Sequence, residues 1–380
     1  MKYCFLIAVV MISMFFSTSL SQINLTVNVF APPSTPKDST IYLTGNHPSA
    51  GEWNPAKLAL KHLNDSLWTT SLSLPDSFNF EFKLTLGTWN NEAIYVNNET
   101  PSNTTITMKK DTTITIKPLK WKAGTLEVIG HLTGNVKYHR NLKGEGLSYE
   151  RDVIVWLPPS YNTAKKRHYP VLYMHDGQNI VDPKTSFTGY DWRMDEVSDS
   201  LIKKGSMKEI IIVGINNTPD RREEYADSAK GIAYQSFIIH VVKQLIDSTY
   251  RTLPDRDNTG IMGSSMGGLA SFLMAWNHPQ VFSMAACLSP AFSDELIKGV
   301  KKYKGADKHI RLYIDNGGTG LDLQLQPGCD KMLPVLKKKG FSAGKNLQWF
   351  LDAKADHNER AWAKRVWRPL KFMFGKKSSK

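Results

Sequence analysis

The sequence is poor in cysteine, and none of its cysteines has the spacing of a metal or haem site. Three cysteines occur in 380 residues, without a C-x-x-C pair or a Cys/His cluster. We therefore expect no metal and no cofactor. If the chain is exported, Cys287 and Cys329 are the thiols that remain in the mature protein. An oxidising compartment would allow a disulfide between them, and the sequence leaves this open.

Long apolar runs are absent except near the N-terminus. That run extends from Cys4 to Phe16 and follows Lys2. It is shorter than the about 20 residues that a membrane-spanning helix needs. A basic start, an apolar middle and a following stretch of small residues are typical of a secretory signal peptide. We predict that residues 1–21 are removed and that the protein is secreted, to the periplasm or outside the cell, without a stable membrane anchor.

Acidic residues are too few to balance the basic ones, and the formal net charge is +13. Much of the excess lies in residues 298–311 and 335–345 and in the tail, residues 376–380. Such a basic surface attracts anionic polymers. No nucleic-acid-binding motif accompanies these lysines, so we expect no nucleic-acid partner.

Residues 22–119 have no room for a helix of normal length. They are rich in Thr, Asn and Ser, and short alternating runs such as LTVNVFA and FNFEFKLTL are separated by turn residues. This pattern predicts an antiparallel β-sandwich.

The segments IYLTGNHPSAGEWNPAKLAL and LWTTSLSLPDSFNFEFKLTLGTWNNEA carry a more detailed resemblance. They resemble a starch-binding-type carbohydrate-binding module of the family 20 kind, with Trp53, Trp68 and Lys83 at matching positions. Ala50 and Phe82 depart from the pattern of such modules.

Three tryptophans of this region are candidates for sugar contacts. We favour a core position over a sugar platform for Trp53 and Trp68. Trp89 lies in the polar segment GTWNNE and is the better candidate for an exposed glycan platform. Whether the module binds glycan stays open at the level of the sequence.

The second half of the chain has a different pattern. Residues 120–148 read as a linker followed by the first strands of a new domain. In residues 149–375, apolar runs such as PVLYMHDG and EIIIVGINN alternate with helical patterns. This alternation predicts an α/β domain with a mostly parallel sheet covered by helices on both faces.

The segment IMGSSMGGLASF contains a G-x-S-x-G motif with one register. Gly263 and Gly267 flank Ser265, whereas Ser264 has methionines at the equivalent positions. An apolar strand precedes the motif and a helical pattern follows it, which is the context of a nucleophile elbow. We predict that Ser265 is the catalytic nucleophile and that the backbone N–H of Met266 is one oxyanion donor.

The base should follow Ser265 in the chain. His278 and His309 lie at positions that favour structural roles, whereas His357 follows the last apolar strand. We predict His357 as the base. The acid should follow the strand IRLYIDNGG, and we place it at Asp322, in a loop, with Asp315 as the alternative.

The loop after PVLYMHDGQN should supply the second oxyanion donor. We predict the backbone N–H of Gln178 for this role. His175 in the same loop precedes Ser265, and we expect it to shape the loop through hydrogen bonds.

Several linked segments carry a second resemblance: LPPSY, VLYMHDGQN, R-x-x-E-Y (Arg221 to Tyr225), YRTLPDRDNTGIMGSSMGGLAS and ADHNERAW. They resemble the esterase family that groups enterochelin esterases, esterase D-type enzymes and family 1 carbohydrate esterases such as feruloyl and acetylxylan esterases. The resemblance implies an α/β-hydrolase fold with a Ser–acid–His triad. Ser265 and His357 match directly, but the loop DNGGTGLD is longer than in relatives, which leaves the acid open.

These observations favour a secreted serine esterase that acts through an acyl-enzyme on a carboxylic ester carried by a plant polysaccharide, feruloyl or acetyl. The alternatives are a siderophore trilactone esterase of the enterochelin type and a non-catalytic glycan-binding protein with a hydrolase-like scaffold. Trp192, Arg193 and Asp195 follow the oxyanion loop and are candidates for lining the substrate cleft.

Overall fold

A computed structural model describes residues 22–33, 35–36, 38–64, 66–95, 103–122, 132–305 and 308–376. The chain divides into two compact units, whose boundary in the sequence lies between Gly124 and Thr125. The predicted signal peptide lies outside the described residues. Within these residues, no helix combines the length and the apolar character needed to cross a membrane.

The first unit is the β-sandwich that the sequence predicts, and its strand pairs are antiparallel except for β1 and β9, which are parallel. Two four-stranded sheets have the orders β4-β5-β1-β9 and β3-β2-β6-β8, and β10 pairs with β7. The strands are β1 (Gln22–Phe30), β2 (Tyr42–Gly45), β3 (Leu58–Ala59), β4 (Lys61–His62), β5 (Leu67–Pro75), β6 (Asn79–Thr85), β7 (Ala93–Ile94), β8 (Thr104–Thr107), β9 (Thr112–Ile116) and β10 (Lys120–Trp121).

Strand β1 illustrates why these residues form a sandwich. Its Leu25, Val27 and Val29 are buried, and the residues between them are more exposed. Because successive side chains of a strand point to opposite faces, this alternation buries one face of the sheet. The predicted linker, residues 120–148, begins with β10, which belongs to the first unit, and residues 123–131 lie outside the described part of the chain.

The second unit contains one mixed sheet and the helices that cover it. Its strands are β11 (Asn135–Leu142), β12 (Arg151–Leu157), β13 (Val171–His175), β14 (Ile211–Ile215), β15 (Thr259–Ser264), β16 (Met284–Leu288), β17 (Arg311–Gly317) and β18 (Leu347–Asp352). Its helices are α1 (Met194–Lys203), α2 (Arg221–Glu224), α3 (Ala229–Phe237), α4 (Lys243–Thr249), α5 (Met266–Asn277), α6 (Asp294–Lys302), α7 (Leu321–Lys338), α8 (Glu359–Arg365) and α9 (Trp367–Phe374).

The sheet has the strand order β11-β12-β14-β13-β15-β16-β17-β18. The pairs β11–β12 and β12–β14 are antiparallel, and the pairs from β14 to β18 are parallel. The carboxyl ends of the parallel strands therefore meet at one edge of the sheet, where ligands bind in open α/β sheets.

The core of this unit lies on both faces of the sheet. Alternate residues of β13 belong to different clusters, with Tyr173 packed among residues of α3 to α7 and Leu172 among residues of α1, α8 and α9. This two-sided burial explains the continuous apolar runs in the sequence. The predicted α/β-hydrolase architecture is confirmed.

Both cysteines outside the N-terminal run are free and buried. Cys287 lies in β16 and Cys329 in α7, and the structure has no disulfide between them. Burial raises the pKa of the Cys329 thiol to about 12. The thiols are thus packing residues in a reduced state.

Candidate active site

Ser265 lies on a strained turn between β15 and α5. Its φ of 57° and ψ of −123° are unusual for a residue with a side chain. Such backbone conformations cost about 1–3 kcal/mol and cluster at functional sites. Ser264, the last residue of β15, is 4% exposed, whereas Ser265 is half-buried. The turn therefore presents Ser265 and hides Ser264, as the motif predicts.

Close contacts exclude a side chain at Gly263 and leave little room for one at Gly267. A Cβ added at Gly263 would lie 2.7 Å from the backbone of Gly267. A Cβ at Gly267 would lie 3.3 Å from both Oδ2 of Asp176 and Cβ of His175. The backbone of the turn therefore packs directly against the loop that follows β13.

His357 is positioned by a buried carboxylate. Its Nδ1 lies 2.6 Å from Oδ1 of Asp322, which is fully buried in the first turn of α7. The other oxygen of Asp322 accepts hydrogen bonds from the backbone N–H of Gly317 at 2.8 Å and from Oγ of Ser289 at 3.1 Å. These bonds fix the carboxylate, which in turn orients the ring and leaves Nε2 for proton exchange.

Of the two aspartates predicted as candidates for the acid, Asp322 contacts His357 and Asp315 does not. Asp322 contacts His357, but it lies in a helix and not in a loop, because α7 begins at Leu321. Asp315 is turned away from His357. Its Oδ2 lies 3.2 Å from Nε of Arg365 and accepts a hydrogen bond from Oη of Tyr313 at 3.0 Å.

Ser289 joins several parts of the site, and the sequence analysis assigned it no role. Its Oγ donates to Asp322 and accepts hydrogen bonds from Nε1 of Trp362 at 3.1 Å and from a guanidinium N–H of Arg365 at 2.9 Å. Its neighbour Leu288 accepts from the backbone N–H of Ser265 at 2.9 Å. Among the described residues, no hydrogen-bond partner is found for the Ser265 hydroxyl. The segment CLSP, a serine directly after an apolar strand, was the available signal.

The two predicted oxyanion donors lie at the starts of helical turns. Met266 is the first residue of α5, so its N–H has no partner within the helix. Gln178 lies in the 3-10 turn Gly177–Asn179, in which Asn179 donates to Asp176. The side-chain oxygen of Gln178 accepts from the backbone N–H of Asn217 at 3.1 Å, which holds this turn to the loop after β14.

Asp176 is the anchor of the Gln178 turn. Its carboxylate accepts two hydrogen bonds from Arg221, at 2.6 and 2.8 Å, and one from Nδ2 of Asn217 at 2.6 Å. Its backbone N–H donates to Oη of Tyr225 at 3.1 Å. The motif R-x-x-E-Y thus holds the loop that carries Gln178 through a bidentate ion pair, a strong and directional contact.

His175 shapes this loop, as we expected. Its Nδ1 lies 2.9 Å from Oη of Tyr234, and its Nε2 is buried without a hydrogen-bond partner. Burial lowers the pKa of His175 to about 4, with Asp176 opposing and Arg221 adding to the effect. The ring is therefore neutral at physiological pH.

Glu359 is a buried carboxylate that the sequence reasoning missed. It lies two residues after His357, and it accepts hydrogen bonds from Oγ1 of Thr188 at 3.0 Å and from Nδ2 of Asn179 at 3.4 Å. Burial raises its pKa above the ordinary value. Glu359 thus joins the start of α8 to the loop that carries Gln178.

The structure corrects the predicted cleft residues. Trp192 is 3% exposed and packs in the core against Trp362, at 5.5 Å between ring centroids. Asp195 is fully buried, accepts from the backbone N–H of Thr133 at 2.6 Å, and has its pKa raised to about 8 by burial and by Glu196. Arg193 is exposed and pairs with Glu196. Trp192 and Asp195 therefore lie under the surface, because Trp192 packs against Trp362 and Asp195 binds the backbone of Thr133.

The candidate tryptophans of the first unit have different environments. Trp68 is buried in the core and stacks on His62 at 4.2 Å, as predicted. Trp53 is half-buried in a turn with a φ of 71°, so it is not a full core residue. Trp89 is half-buried in the 3-10 turn Trp89–Asn91. Its role as a glycan platform stays a prediction.

Family models match both units. A model described as "Putative esterase" matches residues 144–365, more than half of the chain. The chain belongs to this esterase family. A model described as "Starch binding domain" matches residues 22–117, so the first unit of this esterase is a starch-binding-type domain.

Relatives of the esterase include proteins of two bacteria. It is 25% identical over 185 residues to the uncharacterized protein YjcH of Bacillus subtilis (strain 168). That match covers 48% of this chain and 72% of the relative. It is 28% identical over 196 residues to an endo-1,4-beta-xylanase/feruloyl esterase of Xylanibacter ruminicola. That match covers 50% of this chain but 25% of the larger relative.

Solved structures share the fold. A ferulic acid esterase superposes with a TM-score of 0.53 at 22% identity, over 64% of this chain and 99% of that one. An enterobactin esterase from Shigella flexneri superposes with a TM-score of 0.54 at 13% identity, over 93% of both chains. Together with the family match, these similarities support esterase as the functional class.

Proposed function

We propose that this esterase is a serine carboxylic-ester hydrolase in which Ser265 is the nucleophile, His357 the general base and acid, and Asp322 the residue that orients His357. The observation that carries the proposal is the 2.6 Å contact between Nδ1 of His357 and Oδ1 of Asp322. It lies at the sheet edge where β15 also ends in the strained Ser265 turn.

The reaction would proceed through an acyl-enzyme. The Ser265 oxygen attacks the ester carbonyl carbon while its proton moves to Nε2 of His357. The charged ring gives this proton to the leaving alcohol, and the acyl group stays on Ser265. A water molecule then loses a proton to His357 and attacks the acyl carbon. The carboxylic acid leaves, and Ser265 regains its proton.

The backbone N–H groups of Met266 and Gln178 would stabilise the oxyanion of both tetrahedral intermediates. The N-terminal position of Met266 in α5 favours negative charge at this point. The two hydrogen bonds between Asp176 and Arg221 hold the Gln178 turn in place before substrate binds. Preorganised donors of this kind are worth about 2.7–4 kcal/mol each in the transition state.

For the substrate, we propose a feruloyl or acetyl ester carried on a plant polysaccharide. Two facts support this choice: the starch-binding-type domain in the same chain and the similarity to a xylanase/feruloyl esterase. In this proposal the first unit holds the polymer, with Trp89 as a stacking surface, and the second unit cleaves the ester. Secretion, predicted from residues 1–21, would bring the protein to such a polymer.

A second candidate substrate is a siderophore trilactone of the enterochelin type. The observation in its favour is the fold likeness to an enterobactin esterase over 93% of both chains, whereas the ferulic acid esterase covers 64% of this chain. The basic charge of the protein is also compatible with an anionic siderophore.

The test is a substrate panel with the purified protein: an aryl ester, acetylated xylan, a feruloylated oligosaccharide and a catecholate trilactone. We expect hydrolysis of the aryl ester and higher kcat/KM for one glycan ester. Higher kcat/KM for the trilactone would move the assignment to the siderophore. Glycan binding without turnover of any ester would instead indicate a non-catalytic glycan-binding protein.

The nucleophile is tested with a matched pair of variants. We expect Ser265→Ala to lower kcat by on the order of 10⁴–10⁶ while the protein stays folded. Ser264→Ala changes the neighbouring hydroxyl, which is buried, and should keep activity. The measurement is kcat on the aryl ester with circular dichroism as the folding control. Activity in Ser265→Ala, or its loss in Ser264→Ala alone, would contradict the assignment.

A further inference from the structure

Three carboxylates meet at the start of α1, apart from the residues proposed for ester hydrolysis. One oxygen each of Asp191, Asp195 and Glu196 lies within 4.8 Å of the others. Among the described residues, this is the group of acidic, histidine or cysteine side chains that is close enough to hold a metal ion. Glu196 and Asp191 are half-buried, and Asp195 is fully buried.

Each carboxylate is held in place through one of its two oxygens. Oδ2 of Asp195 accepts from the backbone N–H of Thr133 at 2.6 Å, and Oδ2 of Asp191 accepts from the backbone N–H of Arg193 at 2.9 Å. Oε1 of Glu196 lies 3.4 Å from Nε of Arg193. Bonds of this kind orient metal-binding carboxylates in proteins, because they leave the other oxygen directed at the ion.

The remaining oxygens of two of these carboxylates accept no hydrogen bond from an N–H or hydroxyl group of the described residues. Oδ1 of Asp195 and Oε2 of Glu196 are buried, and the two carboxyl groups lie within hydrogen-bonding reach of each other instead. A buried carboxylate oxygen without a partner is costly, and two in one cluster repel each other. Arg193 is the cation paired with the cluster, but its side chain is mostly exposed, so solvent screens its charge. When these carboxyl groups are ionised together, no buried cation among the described residues balances their charge.

We propose that Asp191, Asp195 and Glu196 bind a hard divalent cation of the Ca²⁺ class. The donor set consists of oxygens alone, which suits Ca²⁺, Mg²⁺ or Mn²⁺ and does not suit soft metals. Three protein ligands leave coordination positions for water, and the half-buried Asp191 and Glu196 give access to it. Sequence spacing did not reveal this site, because acidic residues at a helix start are common without an ion.

The place of the site in the fold indicates what the cation would do. Trp192, between Asp191 and the start of α1, donates its backbone N–H to Asn179 at 2.8 Å, and Met194 donates to Ile180 at 3.0 Å. The cation would therefore tie α1 and the Thr133 segment to the chain that follows Gln178. We assign it a structural role, so its binding does not depend on ester hydrolysis.

The experiment is calcium binding to full-length protein that has been treated with EDTA and dialysed. Isothermal titration with CaCl₂, and with MgCl₂ in a second arm, measures stoichiometry and Kd, and thermal unfolding measures Tm. We expect one equivalent of cation to bind and Tm to rise with its free concentration, as mass action requires. Absence of both effects up to millimolar Ca²⁺ and Mg²⁺ would overturn the proposal.

Variants separate a specific site from general attraction of cations. Asp195→Asn and Glu196→Gln should each weaken binding at least about 10-fold, the lower end of the loss seen when a metal site is disturbed. Asp199→Asn, on the same helix but paired with Lys203, should bind like the wild type. If the wild type binds no cation and Asp195→Asn raises Tm, the carboxyl groups share a proton and the proposal is overturned. Equal binding by all variants would also overturn the site.

Discussion

Asp322 and Asp315 are both fully buried near the end of β17, but they have different partners. Asp322 contacts His357, and Asp315 contacts Arg365. We predict that Asp322→Asn lowers kcat by up to about 10⁴, because His357 loses its tautomer and the support of its charged form. Asp315→Asn should keep most of kcat but lower the free energy of unfolding, because a buried Arg365 would lose its counter-charge.

The measurements are kcat of the folded variants and urea unfolding of both. The reverse order of kcat would move the catalytic acid to Asp315. Small effects of both substitutions on kcat would indicate that Ser265 and His357 act as a dyad.

The buried, neutral state of His175 predicts that the free energy of unfolding depends on pH. Its pKa of about 4 in the folded protein lies below the about 6.5 of an unfolded chain. As pH falls through this window, the unfolded state takes up the proton first, so stability that is present above pH 6.5 is lost toward pH 4. From pH 7 to pH 5, this residue should lower the free energy of unfolding by about 2 kcal/mol.

The check is urea unfolding at both pH values for the wild type and for His175→Gln, which cannot take up this proton. The difference between the two proteins isolates His175 from other titrating groups. A wild type and a variant with the same loss of stability at pH 5 would refute the buried neutral state.

Sequence alone could predict the strand–turn–helix position of Ser265, because the glycine spacing and the flanking patterns determine it, and chain order led to His357. Their catalytic roles stay predictions. The sequence favoured Asp322 over Asp315 for a reason that the structure does not support. Asp315 ends the apolar part of β17 and Asp322 was placed in a loop, whereas Asp322 is directed at His357 because α7 begins at Leu321. The cleft prediction for Trp192 was wrong for a similar reason, since the path of a loop depends on its packing and not on local pattern.

At the scale of elements, the short helix α2 holds the loop that carries the predicted oxyanion donor Gln178 through one side chain. Arg221 binds Asp176 with two hydrogen bonds, and Asp176 begins the turn that carries Gln178. We predict that Arg221→Lys lowers kcat by up to about 10²-fold with little change in KM, because lysine lacks the bidentate geometry and the turn shifts. Steady-state kinetics on the aryl ester measure both constants.

Arg222→Lys is the matched control, since Arg222 is the exposed neighbour in the same helix. It should leave both constants unchanged. A rise in KM with constant kcat in Arg221→Lys would mean that Arg221 acts on substrate binding, and an equal effect of both substitutions would point to surface charge.

The segment after α3 illustrates why helical periodicity alone is incomplete. The sequence pattern predicts that Phe237, Val241, Leu245 and Ile246 share one buried face. The chain instead forms a π-helix over Ile238–Val242. Phe237, Val242 and Ile246 are buried, while Val241 and Leu245 are half-buried. The wider turn shifts the buried face by one residue, and no sequence signal marked it.

At the scale of the whole molecule, the proposed catalytic residues all lie in the second unit. We predict that a truncated protein of residues 125–380 hydrolyses a small soluble ester at close to the full-length rate and loses affinity for a polymeric substrate. The reason is that Ser265, His357 and Asp322 are held by contacts within this unit. Kinetics on an aryl ester and a pull-down on insoluble glycan measure the two effects.

Trp89→Ala in the full-length protein is the companion variant. It should weaken glycan binding and leave the turnover of small esters unchanged, because stacking on an aromatic ring contributes to sugar binding and not to ester chemistry. Collapse of small-ester turnover in a folded truncated protein would show that the first unit contributes to catalysis.

The two buried thiols offer a way to measure local opening of the second unit. Cys287 on β16 and Cys329 on α7 lie in the same buried cluster, between the sheet and the helices that cover it. A water-soluble alkylating reagent therefore reaches Cys329 when α7 leaves the sheet, and the rate of alkylation records that opening. Because α7 also carries Asp322, the rate of Cys329 alkylation would also measure how often Asp322 separates from His357.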